Sequence, residues 1–330
     1  MADVDADALV THATGDQSVA FLKRGALVDD RGITFKELRR MLTPRYGVVW
    51  SQLALGYVAL ALVAAGVAWT ADLLPAWLRV AGGALLFGFF QAYIQLFLHE
   101  AAHFNLAPGR ERNDRLADLF VGAIHGLEIE SYRTVHFEHH RRLGTTMDSE
   151  RTYFDPLNMR FFAEAMLGIK GLRVLRRRKA LMAGTGVGTS AAQRRQRIAA
   201  AVIHLGVVSA AWMSGHRALA AAWTLGTLSF MPVFAALRQL LEHRSESADA
   251  RIDYATADHG AVNRLFGAGP VASTFGGAGF NRHLLHHWEP QISYTRLAEL
   301  ERYLMRTDAA APLEARHSTY WRTFWALVSW

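Results

Sequence analysis

Histidines recur in this chain at spacings that place them on one face of a helix. The pattern H-x-x-H-H occurs twice, at residues 136–140 and 283–287, and a separate H-x-x-x-H occurs at residues 99–103. Side chains three and four residues apart are neighbours on a helix, so each pattern can present its rings to one metal ion. A further histidine, His243, ends an apolar stretch. The candidate metal ligands and catalytic residues are His99, His103, His136, His139, His140, His243, His283, His286 and His287.

The number of candidate ligands favours more than one metal ion. Imidazole nitrogen binds iron, zinc and copper alike, so the ligand type does not name the metal. Nine histidines are too many for one tetrahedral zinc and suit two metals with four or five ligands each. The chain has no cysteine, which excludes thiolate sites and an intrinsic iron–sulfur cluster. Any reducing electrons must therefore come from a separate partner or a bound cofactor.

Two other functions fit part of the pattern. Residues 99–103 read H-E-A-A-H, the zinc-protease signature with Glu100 as general base, and this favours an intramembrane metalloprotease. That alternative leaves both H-x-x-H-H patterns unexplained. A membrane protein that binds metal without catalysis is the third alternative. The other six histidines are isolated, and we expect ordinary structural roles for them; His125 and His259 are the best placed to support a ligand, and His204 lacks a partner for haem.

Four long apolar stretches must position these histidines. Each carries no charged residue, and the first, 23 residues long, would span roughly 34 Å as a helix. Because a bilayer's hydrocarbon core is about 30 Å thick, each stretch predicts a transmembrane helix. The predicted fold is an all-α integral membrane protein with four transmembrane helices. The four stretches are residues 47–69, 80–98, 198–215 and 218–237.

The distribution of basic residues predicts the orientation. Residues 99–197 carry seventeen Lys and Arg, whereas the turn at 71–74 has none and the turn at 214–217 has one. By the positive-inside rule the basic block is cytoplasmic, and so are both termini and all nine histidines. Arginine and alanine richness indicates a GC-rich bacterial genome, and for a bacterial protein we expect the inner membrane. The predicted organisation is a cytoplasmic segment at 1–46, spans at 47–98, a cytoplasmic region at 99–197, spans at 198–241 and a cytoplasmic region at 242–330.

Two smaller segments also indicate contact with lipid. Residues 34–42 predict an amphipathic helix capped by Thr34 with Glu37, which we expect on the membrane surface. The basic run Arg173–Lys179 predicts a contact with anionic head groups.

Three carboxylates near the histidine patterns are candidates to fix histidine tautomers through the ring nitrogen remote from the metal. They are Asp118, Asp148 and Glu150. The alternative for each is an ion pair with Arg115, Arg141 or Arg142.

In combination, the three histidine boxes resemble those of the membrane fatty-acid desaturase and lipid hydroxylase superfamily. The first box ends the second span, and residues 281–290, continuing through Tyr294, Arg296 and Leu297, resemble the family's third box and the segment downstream of it. The resemblance covers about residues 33–305. It implies four spans capped by a helical cytoplasmic domain with a histidine-rich di-metal site. It also implies that the box histidines and His243 bind two iron ions, and that Gln239 contacts iron directly or through water.

The resemblance implies an O2-dependent lipid oxidoreductase, with a fatty-acyl desaturase as the leading expectation and a hydroxylase or ketolase as the alternative. The substrate would be an acyl lipid in the membrane. No haem-binding cytochrome b5 motif is fused to the chain. We therefore expect an external electron donor, a ferredoxin or a cytochrome. Nothing in the pattern indicates a nucleic-acid partner or a particular oligomeric state.

Overall fold

The computed structural model of the chain describes residues 24–181, 190–246, 248–249, 251–252, 254 and 263–328. Within these residues the chain forms α-helices joined by short 3₁₀ and π segments, with three isolated β-bridges and no strand. This confirms the predicted all-α class. His12 and His259 lie outside the described residues.

The helices are numbered in chain order. They are α1 Phe35–Met41, α2 Tyr46–Trp69, α3 Ala76–Ala102, α4 Arg110–Ala117, α5 Ala123–His125, α6 Ile129–Arg142, α7 Met159–Met166, α8 Ile169–Leu181, α9 Ala191–Met213, α10 Arg217–Leu225, α11 Met231–His243, α12 Pro270–Phe275, α13 His283–Trp288, α14 Leu297–Leu304, α15 Ala310–Glu314 and α16 Tyr320–Leu327. Two π segments, Asp118–Gly122 and Gly226–Phe230, join α4 to α5 and α10 to α11.

Four helical stretches among the described residues are long and apolar enough to cross a membrane: Tyr46–Asp72, Ala76–Ala102, Ala191–Met213 and Arg217–His243. The second is longer than predicted at both ends. It begins after Pro75 and continues beyond Leu98, so that His99 lies inside the helix. The predicted span ended at Leu98 because a charged residue, Glu100, follows His99. In the structure the Glu100 carboxylate is accommodated within the helix by hydrogen bonds.

The outer surfaces of these helices are apolar. Leu62, Val202 and Leu228 are each 66% exposed. A helix that keeps large apolar side chains on its exposed face, as well as its packed one, is typical of a membrane span. Both the length and the surface of these helices therefore support an integral membrane protein.

The chain divides into two compact units. The span unit comprises Tyr46–His136 and Met159–Leu237. The box unit comprises the described residues up to Arg45, then Phe137–Asn158, and those from Arg238 onward. Helix α6 thus contributes His136 to the span unit and its last six residues to the box unit.

In the span unit, α3 packs against α2, α10 and the π segment Gly226–Phe230. Small residues permit the closest approach between α3 and the π segment. A Cβ added to Gly88 would lie 2.4 Å from the Phe230 Cβ and 2.7 Å from the Met231 backbone nitrogen. Phe87 fills the space beside this contact with its ring edge against Trp223, at a centroid distance of 5.0 Å. The glycine therefore sets the spacing between the second and fourth spans.

In the box unit, α1 is capped as predicted, since the Thr34 hydroxyl accepts from the Glu37 backbone and Glu37 accepts from the Thr34 backbone. Its expected place on the membrane surface stays a prediction, but its apolar face packs against protein. Phe35 is buried with its ring against Trp288, at a centroid distance of 5.2 Å, and it also lies near Tyr303. Protein and not lipid covers the apolar face of α1.

We predict that Gly88→Ala destabilises the protein by about 1–3 kcal/mol or more, because the added methyl group meets backbone atoms that cannot rotate away. Thermal unfolding in detergent would measure the change. The matched control is Gly82→Ala on the same helix, where an added Cβ meets nothing within 4 Å. It should be neutral or stabilising by up to about 1 kcal/mol through helix propensity. Equal effects of the two variants would contradict the close packing.

Candidate metal centre

Four buried histidines converge in the box unit. The Nε2 atom of His243 lies 3.0 Å from that of His139, 2.8 Å from that of His283 and 3.4 Å from that of His287. The His283 and His287 Nε2 atoms are 3.1 Å apart. Helix α6 supplies His139, the end of α11 supplies His243, and α13 supplies the other two. Three helices far apart in sequence therefore aim imidazole nitrogens at one point.

The tautomers of His139 and His243 show what this point can hold. The His139 Nδ1 faces the Asp148 carboxylate at 3.0 Å, and the His243 Nδ1 faces the Gln239 carbonyl oxygen at 2.9 Å. An oxygen acceptor at Nδ1 assigns the single proton of a neutral imidazole to that nitrogen. Both Nε2 atoms then carry lone pairs, and these face each other at 3.0 Å. Two lone pairs repel at this distance, whereas a cation bound by both is stabilised, so the donor set fits a metal ion.

A buried carboxylate, Asp148, orients one of these histidines. Asp148 accepts hydrogen bonds from the Tyr153 hydroxyl at 2.6 Å and from the Glu150 backbone at 2.8 Å, in addition to its contact with His139. Burial alone would raise the pKa of Asp148, but the contact with His139 and these hydrogen bonds hold it below its usual value. The chain reverses toward His139 at Gly144, whose φ of +79° suits glycine. Asp148 is thus an ionised acceptor for the His139 ring.

The remaining box histidines of this unit form a pair. The His140 Nε2 lies 3.1 Å from the His286 Nε2, and the His140 ring stacks on that of His287 at a centroid distance of 4.2 Å. His286 is buried, and His140 is partly exposed. Their close nitrogens make both available as further metal ligands.

The span unit brings three histidines together. The ligand nitrogens of His99, His103 and His136 all lie within 4.8 Å of one another, with 2.8 Å between the His103 and His136 Nε2 atoms. His99 lies within α3, His103 caps its C-terminal end, and α6 supplies His136. Burial, and secondarily the nearby Arg133 guanidinium, lower the pKa of His103 to about 3. This imidazole is therefore neutral at physiological pH and can bind metal without first losing a proton.

The glutamate of H-E-A-A-H is placed to support a ligand. The Glu100 Oε1 lies 3.2 Å from the His99 Nδ1, and its Oε2 accepts a hydrogen bond from the Asn105 amide at 3.1 Å. Glu100 is 1% exposed. A protease would need this carboxylate beside the metal-bound water, on the Nε2 side of the ring. Its contact with Nδ1 therefore counts against the protease alternative.

The other predicted supporting residues have different contacts. The Gln239 amide donates to the Glu150 carboxylate at 2.9 Å and accepts from the Thr152 hydroxyl at 3.2 Å, while its backbone carbonyl faces His243. An iron contact of Gln239 stays a prediction. The Asp118 carboxylate accepts from the Ile129 backbone at 2.8 Å. Burial raises the pKa of Asp118 to about 6. Of the three candidate carboxylates, Asp148 contacts a box histidine directly, at 3.0 Å from the His139 Nδ1.

Two isolated histidines of the span unit have structural partners. His204 accepts a hydrogen bond from the Trp223 indole at Nδ1 and donates to the Ile124 carbonyl from Nε2. Both nitrogens of His125 lie within 2.9 Å of backbone carbonyls, those of Val121 and Gln91. Neither the haem role considered for His204 nor the supporting role expected of His125 is visible in these contacts.

Tyr153 is a contributor to the site that the sequence did not indicate. It is fully buried, holds Asp148 and accepts from the Gly144 backbone at 2.7 Å. Its ring stacks over that of His243 at a centroid distance of 5.6 Å. No residue pattern singles out a tyrosine in this segment, because its contacts depend on the turn at Gly144.

We predict that Asp148→Asn weakens metal binding by about 10- to 100-fold, because the amide no longer offers a charged acceptor to the His139 ring. Metal content after dialysis against a graded chelator would measure the change. Asp118→Asn is the matched control, since it removes the same charge from a carboxylate that bonds the backbone near Ile129. Equal metal retention in the two variants would show that Asp148 does not orient a ligand.

The comparison with protein families agrees with this geometry. The model of the Fatty acid desaturase family matches residues 75–321, about three quarters of the chain, and this range contains all nine candidate histidines. No curated protein matches the chain significantly. Because the match covers well over half of the sequence, the chain belongs to the Fatty acid desaturase family.

Proposed function

We propose that this protein is a membrane-bound, O2-dependent iron enzyme that introduces a carbon–carbon double bond into the acyl chain of a lipid. Membership of a family of lipid oxidoreductases supports the substrate class and the reaction type. The observation that carries the proposal is the pair of facing Nε2 lone pairs on His139 and His243. Such an arrangement suits a redox metal bound by neutral imidazoles.

Each unit would contribute ligands for one of two iron ions. The box unit offers His139, His243, His283 and His287 for one ion, and the span unit offers His99, His103 and His136 for the other. His140 and His286 are further ligands, and Gln239 is proposed as a direct or water-mediated contact. Bound iron supplies the activation of O2 that oxidation of an unactivated C–H bond requires. The chain's own part is to orient the imidazoles through Asp148 and Glu100, so that their metal-binding nitrogens face one another.

The proposed reaction needs an external reductant. Forming one double bond removes two hydrogen atoms from adjacent carbons, and full reduction of O2 to two water molecules then takes two more electrons and two protons. With no cysteine in the chain for an iron–sulfur cluster, these electrons come from a partner such as a ferredoxin or a cytochrome. The product would be an acyl chain with one new double bond.

We further propose that the metal ligands face the cytoplasm. The seventeen basic residues between 99 and 197, against one in the turn at 214–217, support this orientation under the positive-inside rule. In a bacterium the enzyme would then lie in the inner membrane with both termini in the cytoplasm. A soluble cytoplasmic donor would reach the same side of the membrane as the metal ligands.

Lipid profiling of cells that express the protein would test the proposed function. We predict that wild-type protein yields an acyl product lighter by two hydrogen atoms, and that His139→Ala and His286→Ala abolish both this product and metal binding. The control is His216→Ala, in an exposed turn, which should keep full activity. Retained turnover in either ligand variant would overturn the proposal. A product heavier by one oxygen would identify a hydroxylase, and metal binding without oxygen uptake would identify a protein without catalysis.

A further inference from the structure

Helices α7 and α8 form a strongly basic segment of the span unit. Residues 159–181 contain seven Lys and Arg and a single acidic residue, Glu164. That carboxylate already pairs with Arg160 at 2.7 Å and with Arg173 at 2.8 Å. Since no other acid is present in the segment, its net positive charge is not compensated from within.

The same segment exposes large apolar side chains. Leu167 is 72% exposed, and Leu172 and Leu175, one turn apart on α8, are 54% and 56% exposed. The two helices are held together on their other side, where the Lys170 ammonium lies over the Phe161 ring at 4.1 Å. Lys170 and Phe161 are both buried. The exposed leucines therefore lie on the surface of two helices that pack against each other.

The packing of α7 in the span unit indicates where this surface lies relative to the membrane. Helix α7 packs against the π segment Gly226–Phe230. That segment lies within the membrane-length helix Arg217–His243, roughly 14 Å from its start and roughly 20 Å from its end at 1.5 Å per residue. A helix packed against a span lies next to lipid, and not in bulk water. The predicted cytoplasmic end of this span, residue 237, is about 10 Å beyond the π segment, so head groups are close by.

We propose that α7 and α8 form an in-plane membrane module that inserts its exposed leucines among acyl chains and binds the head groups of anionic phospholipids with its basic residues. Exposed apolar side chains flanked by Arg and Lys are typical of helices that lie in the bilayer interface. The charge selects the partner: a net positive surface attracts phosphatidylglycerol over zwitterionic lipid. The module does not depend on the catalytic activity proposed above.

Site-directed spin labelling can test insertion cleanly, because the chain has no native cysteine. The full-length protein would carry a nitroxide at Leu172→Cys in phosphatidylcholine vesicles that contain phosphatidylglycerol. Leu62→Cys, on the exposed face of α2, serves as the lipid reference, and Glu111→Cys, on polar α4, serves as the aqueous reference. We expect oxygen, which dissolves in lipid, to relax the label at position 172, and we expect the water-soluble chromium oxalate not to reach it. The label at position 62 should behave in the same way.

Lipid selectivity tests the basic face separately. Spin-labelled phosphatidylglycerol and phosphatidylcholine would report the relative association of each lipid with the protein. We expect the double variant Arg176→Gln/Arg177→Gln to lower the preference for phosphatidylglycerol, by up to about five-fold per charge at full contact. The matched control, Arg112→Gln/Arg115→Gln on α4, removes the same charge elsewhere and should leave the preference unchanged.

Three results would overturn the proposal. If the label at 172 is as accessible to chromium oxalate as the label at 111, then α8 lies in water. This result is expected if the surface is instead a docking site for a soluble acidic protein. Spin–spin broadening at 172 would show that a second copy of the chain covers the leucines. Equal loss of selectivity in the two double variants would show that total charge, and not this module, selects the lipid.

Discussion

The structure depends on burying many imidazoles at close range, and at His139 and His243 the facing nitrogens both carry lone pairs. A buried polar group without a partner costs free energy, and two facing lone pairs add electrostatic repulsion. At His139 and His243 the outer ring nitrogens are committed to Asp148 and to the Gln239 carbonyl, so the inner nitrogens cannot relieve the repulsion by exchanging a proton. A bound cation resolves the conflict. A bound metal therefore stabilises this arrangement, and the arrangement is less stable without it.

The apolar helices support this arrangement by holding the ligand-bearing segments at fixed places along the chain. His99 lies within α3 and His243 ends α11, so in each case a membrane-length helix ends in the region of a candidate ligand. The close approach at Gly88 fixes the packing of α3 against the fourth span. Ligands on rigid helices are positioned more accurately than ligands on loops, and small displacements matter greatly for a reaction at an unactivated carbon.

The sequence predicted the parts of the structure that depend on composition and spacing. The four spans result from charge-free length, and the histidine faces result from helical periodicity. The surroundings of an apolar face could not be predicted in this way: α1 has the pattern of a surface helix, but Trp288 and Tyr303 cover it. The amphipathic pattern reports that a face is apolar, and it does not report whether protein or lipid lies against it.

The residues that contact the box histidines were harder to predict than the grouping of the histidines themselves. Asp118, Asp148 and Glu150 are equivalent candidates in the sequence, and the turn at Gly144 decides that Asp148 meets His139. Tyr153 had no signal, because its role depends on the same turn. Contacts made through an irregular loop depend on backbone geometry that residue spacing does not encode.

The metal content of the purified full-length protein tests the central claim most directly. Elemental analysis of protein from iron-replete cells, combined with Mössbauer spectroscopy, would give the number of iron ions, their spin state and the type of donor atom around them. Two high-spin, nitrogen-rich iron ions per chain are predicted. A single zinc ion bound at His99 and His103, or a chain that retains no metal at all, would contradict the claim.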